Sequence, residues 1–311
     1  MSAPELPSAV VLQEEGPREG FQSEPPVPVS AKLELIHALA ETGLRDINCV
    51  SFVDTRRVPQ MADAEEVAAG IRRKPGVRYT GIWLNGTGFE RAAASGLDLV
   101  PNVFTSASST FAQKNNGCSS EELTRKQGAM LERYRTAGMH LAAAHVFTAF
   151  GCHYEGSIAP AQTVAALQAL IDVCTEHGQR PRVIYFCDTV GAANPESVRK
   201  LLAQARGLWP EQEFALHLHD TRGMGLANVL AGLQYGVRRF DTSIGGLGGC
   251  PFAGNKAAAG NICTEDVALM CEEMGIATGL DLDALLRCAR LAEEVVRHPL
   301  PGKFMKSGRI R

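Results

Sequence analysis

The sequence predicts an α/β chain folded as a (β/α)8 barrel in one domain. Three observations predict it. Eight short apolar runs are each followed by a segment of helical periodicity, the chain is 311 residues long, and polar residues collect at the C-terminal ends of the runs. Parallel strands need crossover helices, and barrels of this kind commonly reach this length as a single domain. A doubly wound open sheet is the alternative, but no Gly-x-Gly-x-x-Gly follows an early strand.

Val10 to Leu12 reads as the first strand, running into Glu14-Glu15-Gly16-Pro17-Arg18-Glu19-Gly20. Ser30 is placed to cap an amphipathic helix through Leu39. Ile47 to Phe52 is the second strand and Ala64 to Ile71 its helix; Val77 to Leu84 is the third and Gly88 to Ser95 its helix. Leu97 to Phe104 makes the fourth, followed by a Ser/Thr/Asn-rich loop and a long helix, Ser120 to Ala137. Strand five is Leu141 to Phe147, with helix Ala161 to His177, and strand six is Val183 to Cys187, with helix Glu196 to Arg206. Phe214 to Asp220 is strand seven, with a helix over Leu226 to Tyr235, and Phe240 to Ile244 is strand eight. A glycine-rich loop, Gly245 to Gly260, precedes helices over Thr264 to Met274 and Asp281 to Val296. The barrel is expected over residues 9–275, with a helical C-terminal extension over 276–311.

Composition narrows the function classes. With 45% hydrophobic residues the chain buries a full core, and a net charge of -3 without a basic block argues against nucleic acid. There is no apolar run long enough to span a membrane, and Met1 to Ser8 lacks the pattern of a signal peptide. Nine cysteines without a Cys-x-x-Cys pair fit reduced, mostly buried thiols and a cytoplasmic location. The basic tail from Lys303 reads as solvated, with a role on phosphates as the alternative.

In a barrel the active site is built at the C-terminal strand ends. There stand Arg18 and Glu19 after strand one, Asn48 and Ser51 on strand two and His145 on strand five. Asp188 and Thr189 close strand six, His217, His219 and Asp220 close strand seven, and Asn261 follows the loop after strand eight. His217 and His219, two apart on a strand, aim their imidazoles at one spot. With a carboxylate and an amide oxygen they make a mixed nitrogen and oxygen shell suited to Mg²⁺, Mn²⁺ or Zn²⁺. Arg18 stabilises an enolate or binds a carboxylate, or else forms an ion pair with Glu14, Glu15 or Glu19. In Gly245-Gly-Leu-Gly-Gly-Cys250-Pro the glycines permit close backbone approach, and Cys250 is a candidate proton donor or relay.

Gly16-Pro-Arg-Glu-Gly-Phe-Gln22, Ser51-Phe-Val53, Val58-Pro-Gln-Met61, Lys114-Asn115 and Gly151-Cys152 form one set of motifs. Asp188-Thr-Val-Gly191, His217-Leu-His-Asp-Thr221, Gly246-Leu-Gly-Gly-Cys250-Pro and Gly260-Asn261 form another. Together, in order from Val11 to Met274, they resemble the 3-hydroxy-3-methylglutaryl-CoA lyases of the metal-dependent lyase/synthase TIM-barrel superfamily. The resemblance implies retro-Claisen cleavage of an acyl-CoA to acetyl-CoA and a keto acid, with a divalent metal as cofactor and a homodimer as the assembly. It implies Glu19, His217, His219 and Asn261 as metal ligands, and Arg18, Glu19, Asp188, His217 and Cys250 as catalytic residues. Substrate contacts would come from Arg18, Gln22, Asn48, Ser51, Lys114, Asn115, His145 and Thr189, of which Lys114 and Asn115 would meet the CoA.

The chain departs from that pattern at Glu19, where aspartate is usual, and at Asn48, where an acidic residue is usual. His145 and Arg222 stand in place of tyrosines. A carboxylate is lost and two groups able to carry positive charge are gained in or near the pocket, which points to an altered preference, for a different or more anionic 3-hydroxyacyl-CoA. Two other readings compete. One is a Claisen-condensing acyl-CoA/2-keto acid synthase, disfavoured by the glycine-cysteine loop. The other is a non-catalytic barrel that binds metal and acyl-CoA.

Overall fold

The structure, a computed structural model, describes residues 6–248 and 260–309. Its regular elements begin with β1 (Val11–Glu14), α1 (Val29–Ala40), β2 (Asp46–Ser51), α2 (Ala64–Gly70), β3 (Arg78–Ile82) and α3 (Gly86–Ala94). They continue with β4 (Asn102–Ser106), α4 (Ser109–Asn116), α5 (Ser120–Thr136), β5 (Ala143–Phe147), α6 (Pro160–Glu176) and β6 (Val183–Cys187). Then come α7 (Pro195–Leu208), β7 (Glu213–His217), α8 (Gly225–Gln234), β8 (Arg239–Thr242), α9 (Thr264–Glu273) and α10 (Leu282–Val296).

The contacts divide into two compact units, one built on Val100–Phe240 and the other on Ser8–Leu99 with the chain from Asp241 onward. In the second unit the order is β3-β2-β1, all parallel, with Asp46 to Ser51 paired to Arg78 to Ile82. The Glu15 N–H donates to the Thr242 carbonyl of β8 at 2.8 Å. Every residue of β2 is buried, as expected of a parallel strand covered on both faces. Its ladder shifts register between Asn48 and Val50, an irregularity of the kind that re-aims side chains near sites. Leu35, Ile36 and Leu39 of α1 are fully buried at helical spacing. In the other unit β4-β5-β6-β7 run parallel in sequence order, with Phe104 opposite His145, His145 opposite Tyr185 and Cys187 opposite His217.

Local chemistry accounts for the differences from expectation. The fourth strand begins at Asn102 rather than Leu97, after Pro101, which has no N–H for a ladder. The loop expected before α5 contains α4, capped by the Ser108 hydroxyl on Phe111 N and closed by left-handed Gly117. Helix α1 starts one residue before Ser30, with the Pro28 carbonyl accepting from Ala31 N and Lys32 N and no side-chain cap. Strand seven stops at His217, and His219 lies just beyond it in an isolated bridge. The segment from Lys303 is anchored by its apolar residues while Lys303, Lys306 and Arg309 remain exposed to solvent. Lys303 N and Phe304 N donate to the Asp266 carboxylate, and Phe304 and Met305 are buried. No helix among the described residues is long and apolar enough to cross a membrane.

Candidate active site

The first polar cluster grows from the end of β1. Glu15 leaves the strand and its carbonyl accepts from the N–H groups of Arg18, Glu19 and Gly20, winding Gly16–Gly20 into a single π-helical turn. Gly16 and Gly20 have no room for a side chain, because a Cβ would lie 2.7 Å from Glu14 Oε1 and 2.7 Å from Leu247 Cγ respectively. The turn brings Arg18 and Glu19 out side by side, with Arg18 Nη1 2.7 Å from Glu19 Oε2 and Arg18 Nη2 paired with Glu15. Burial opposes the Arg18 charge, but Glu15 and Glu19 together push its pKa above the ordinary guanidinium value. Its Nε is buried and has no hydrogen-bond partner among the described residues.

Asn48, on β2, donates from Nδ2 to Glu15 at 3.1 and 3.3 Å, and Asn261 donates from Nδ2 to Glu19 Oε1 at 3.4 Å. Each of these amides keeps a buried Oδ1 with no hydrogen-bond partner among the described residues. A buried acceptor without a donor is costly unless something else meets it. For Asn261 a cation would do so. Gln22 Nε2 donates to Ser51 Oγ at 3.0 Å, so these two predicted contacts stand together.

Beneath this cluster Glu14 is fully buried and accepts from Gly16 N, Ile244 N and Thr264 Oγ1, at 2.8, 2.9 and 2.6 Å. Burial raises its pKa to about 7. Glu265, also fully buried, accepts from Gly245 N at 2.9 Å, and burial raises its pKa to about 8. The two carboxyls brace the base of the glycine-rich loop. Cys250 itself lies outside the described residues.

The second cluster closes β6 and β7. His217 and His219 are both buried, with their Nε2 atoms 3.1 Å apart and the rings tilted by 59°. Two imidazoles facing each other this way bring ring nitrogens to one point. Asp188, 1% exposed, accepts from Ala192 N at 2.7 Å and Ala193 N at 3.0 Å through Oδ1, while Oδ2 has no hydrogen-bond partner among the described residues. Burial raises its pKa above the usual carboxyl range, with His219 pulling the other way.

His145 stacks on Tyr185 with centroids 4.6 Å apart, and its Nδ1 lies 4.0 Å from Cys187 Sγ. Thr189 has a structural task, its hydroxyl accepting from Thr148 N at 2.8 Å where Thr148 adopts φ 54°. Lys114 and Asn115 sit in the last turn of α4, where Asn115 Nδ2 donates to Phe111 O at 3.1 Å. Arg222 follows Asp220-Thr221 and is exposed. Its guanidinium donates to the carbonyls of Gly191 and Ala192, at 2.7 and 2.5 Å.

Residues 9–292 match the HMGL-like family. The chain belongs to the HMGL-like family. It is 41% identical to the cytoplasmic 3-hydroxy-3-methylglutaryl-CoA lyase of Mus musculus over 280 residues, 90% of this chain and 79% of that one. The HMG-CoA lyase structure from Bacillus subtilis superposes with a TM-score of 0.89 at 37% identity, covering 97% of this chain and 98% of the other. The HMG-CoA lyase from Acinetobacter baumannii, solved with coenzyme A and 3-methylmalate, has a TM-score of 0.86 at 38% identity, covering 97% and 96%. This HMGL-like chain is accordingly a lyase of the metal-dependent kind, and its fold class is the (β/α)8 TIM barrel of those structures.

Sequence reasoning missed Glu15 as part of the site, weighing it only as one possible ion partner for Arg18. The available signal was its position, a second carboxylate at the C-terminal end of the first strand.

Proposed function

We propose that this chain cleaves a 3-hydroxyacyl-CoA of the 3-hydroxy-3-methylglutaryl type to acetyl-CoA and a keto acid. The observation that carries the reading is the buried imidazole pair, Nε2 to Nε2 3.1 Å, in a chain of a lyase family. Glu19, His217, His219 and Asn261 are the proposed ligands of one divalent ion. The carboxylate and the amide oxygen would favour Mg²⁺ or Mn²⁺, and the donor set would also accommodate Zn²⁺. Bound there, the ion lowers the pKa of the substrate's 3-hydroxyl.

The chain's own residues do the rest. Asp188, with its raised pKa and open Oδ2, takes up or relays the hydroxyl proton or orients the substrate, and His217 is the second candidate for that transfer. The bond between C2 and C3 then breaks. C3 becomes the carbonyl carbon of the keto acid, and the bonding pair moves to the thioester as its enolate. Arg18 faces the enolate oxygen with a charge that no working pH removes. A proton delivered to C2 completes acetyl-CoA, and Cys250 is the proposed donor or relay.

Glu19, Asn48 and His145 set the acyl preference away from that of ordinary lyases, toward a different or more anionic acyl group. Lys114 and Asn115 contact the CoA. The cytoplasm is the proposed location, a reading supported by the buried free cysteines and by relatives named cytoplasmic, beside others named mitochondrial, and a homodimer is the proposed assembly.

The test is to offer purified protein, loaded with Mg²⁺ or Mn²⁺, a panel of 3-hydroxyacyl-CoAs and to identify products by mass spectrometry. Acetyl-CoA and a keto acid from at least one thioester bear the reading out. Bound metal and bound acyl-CoA without turnover on any of them leave a binding module instead. Cleavage of 3-hydroxy-3-methylglutaryl-CoA as efficient as by an ordinary lyase removes the altered preference.

A further inference from the structure

A buried charge is tolerated only when its partners are in place. Glu15 is the buried carboxylate at the centre of the first cluster, with a side chain 1% exposed; burial raises its pKa, and the paired Arg18 guanidinium pulls the other way, favouring the charged form. Its two oxygens receive Gln13 Nε2 at 2.7 Å, Asn48 Nδ2 at 3.1 and 3.3 Å, and the ion-paired Nη2 of Arg18. A carboxylate accepts and does not donate. Facing one, Asn48 must turn its NH2 toward Glu15, which leaves Oδ1 pointing the other way. Arg18 is held at both terminal nitrogens, Nη2 by Glu15 and Nη1 by Glu19, so its plane is set. What remains is one buried donor, Arg18 Nε, and one buried acceptor, Asn48 Oδ1, neither with a hydrogen-bond partner among the described residues.

We propose that Glu15 is a positioning residue, one that holds Arg18 and Asn48 as a fixed donor and acceptor pair for the substrate. Arg18 then meets the thioester or enolate oxygen, and Asn48 Oδ1 accepts from an O–H on the acyl chain. The pair selects acyl groups that carry a hydroxyl near the reacting carbons, and it discriminates against purely apolar ones, which would leave Asn48 Oδ1 unmet. The choice of substrate rests on the lyase reading above, whereas the clamp rests on the geometry of Glu15 alone.

Glu15→Gln keeps the volume but removes the charge and presents an NH2 that lets Asn48 turn over. Its kcat on the thioester that the wild type cleaves is expected to fall about 10- to 100-fold with KM within about threefold, the size of effect that a misplaced reacting group produces. Glu15→Asp recovers part of that loss. An unchanged kcat, or a loss confined to KM, overturns the proposal. A second readout is independent of turnover. The ¹⁵N spectrum of arginine side chains is expected to show slow rotation about the Arg18 Cζ–Nε bond in the wild type and fast rotation in Glu15→Gln. Equal rates in the two proteins overturn the clamp even if turnover falls. Should the wild type cleave no thioester, the lyase reading fails, and the rotation rates decide the clamp on their own. If Glu15→Gln does not fold, Glu15→Asp carries both measurements, with an intermediate loss and an intermediate rate expected.

Discussion

Asp188 shows how much one atom can specify. Its Oδ1 is held by two backbone N–H groups while Oδ2 has no hydrogen-bond partner among the described residues, in surroundings that favour the protonated form. A carboxyl so arranged takes up a proton more readily than an exposed one, and its Oδ2 can receive it without moving. Asp188→Asn is expected to lower kcat by about 100-fold or more while leaving the bound metal unchanged, checked by steady-state kinetics beside elemental analysis. The histidines give the opposite pattern. His217→Ala and His219→Ala are each expected to lose most bound metal, with affinity down more than about tenfold, and unchanged stoichiometry would remove the ligand assignment. Both imidazoles were legible from their spacing alone, because residues two apart on a strand share a face. The clamp was not. Glu15 follows Glu14 in sequence, and no pattern says which of two adjacent carboxylates braces a loop and which grips an arginine. Only the fold separates them.

At the scale of the element, the base of the glycine-rich loop is the informative piece. Ile244 N is held by Glu14 and Gly245 N by Glu265, two fully buried carboxyls with pKa values raised to about 7 and about 8. A carboxyl whose folded pKa is raised favours folding most below its unfolded value near 4.5, and that advantage is lost as pH rises toward the folded value. Stability is therefore expected to decline between about pH 5 and 8 as the unfolded chain ionises first. Glu265→Gln, which mimics the protonated form, should make that decline shallower in thermal melts taken across this range.

Helix α7 offers a plainer test. Asn194 caps it through Glu196 N and Ser197 N, with Ser197 returning the bond to complete a capping box. Asn194→Ala should cost about 1 kcal/mol in chemical unfolding. Caps of this kind are visible in sequence when an apolar period follows them. Helix α4 was not visible, since Ser109–Asn116 is mostly polar and buries only Phe111 and Ala112.

For the whole molecule, periodicity carried the fold class. The eight strands and most helices lie within a few residues of expectation, because a parallel strand covered on both faces reads as a short continuous apolar run and a helix repeats its apolar residues every third or fourth position. The ends moved where a backbone rule outranked hydrophobicity, as at Pro101. A metal that binds only the folded chain stabilises all of it by mass action. Added Mn²⁺ should therefore raise the melting temperature in a concentration-dependent way, chelation should reverse the rise, and His217→Ala should abolish the response.

The sulfurs give a last consequence. Cys49, Cys118, Cys152, Cys174, Cys187, Cys263, Cys271 and Cys288 are all free and buried, and burial pushes the thiols of Cys174, Cys271 and Cys288 up to about 12, 11 and 12. Buried thiols that rarely ionise are poor nucleophiles. In the folded protein an alkylating dye finds these eight sulfurs shielded, so the rate at which they are labelled reports on opening of the structure around them. The wild-type chain thus carries built-in thiol reporters, and their labelling should slow when a bound ligand stabilises the fold.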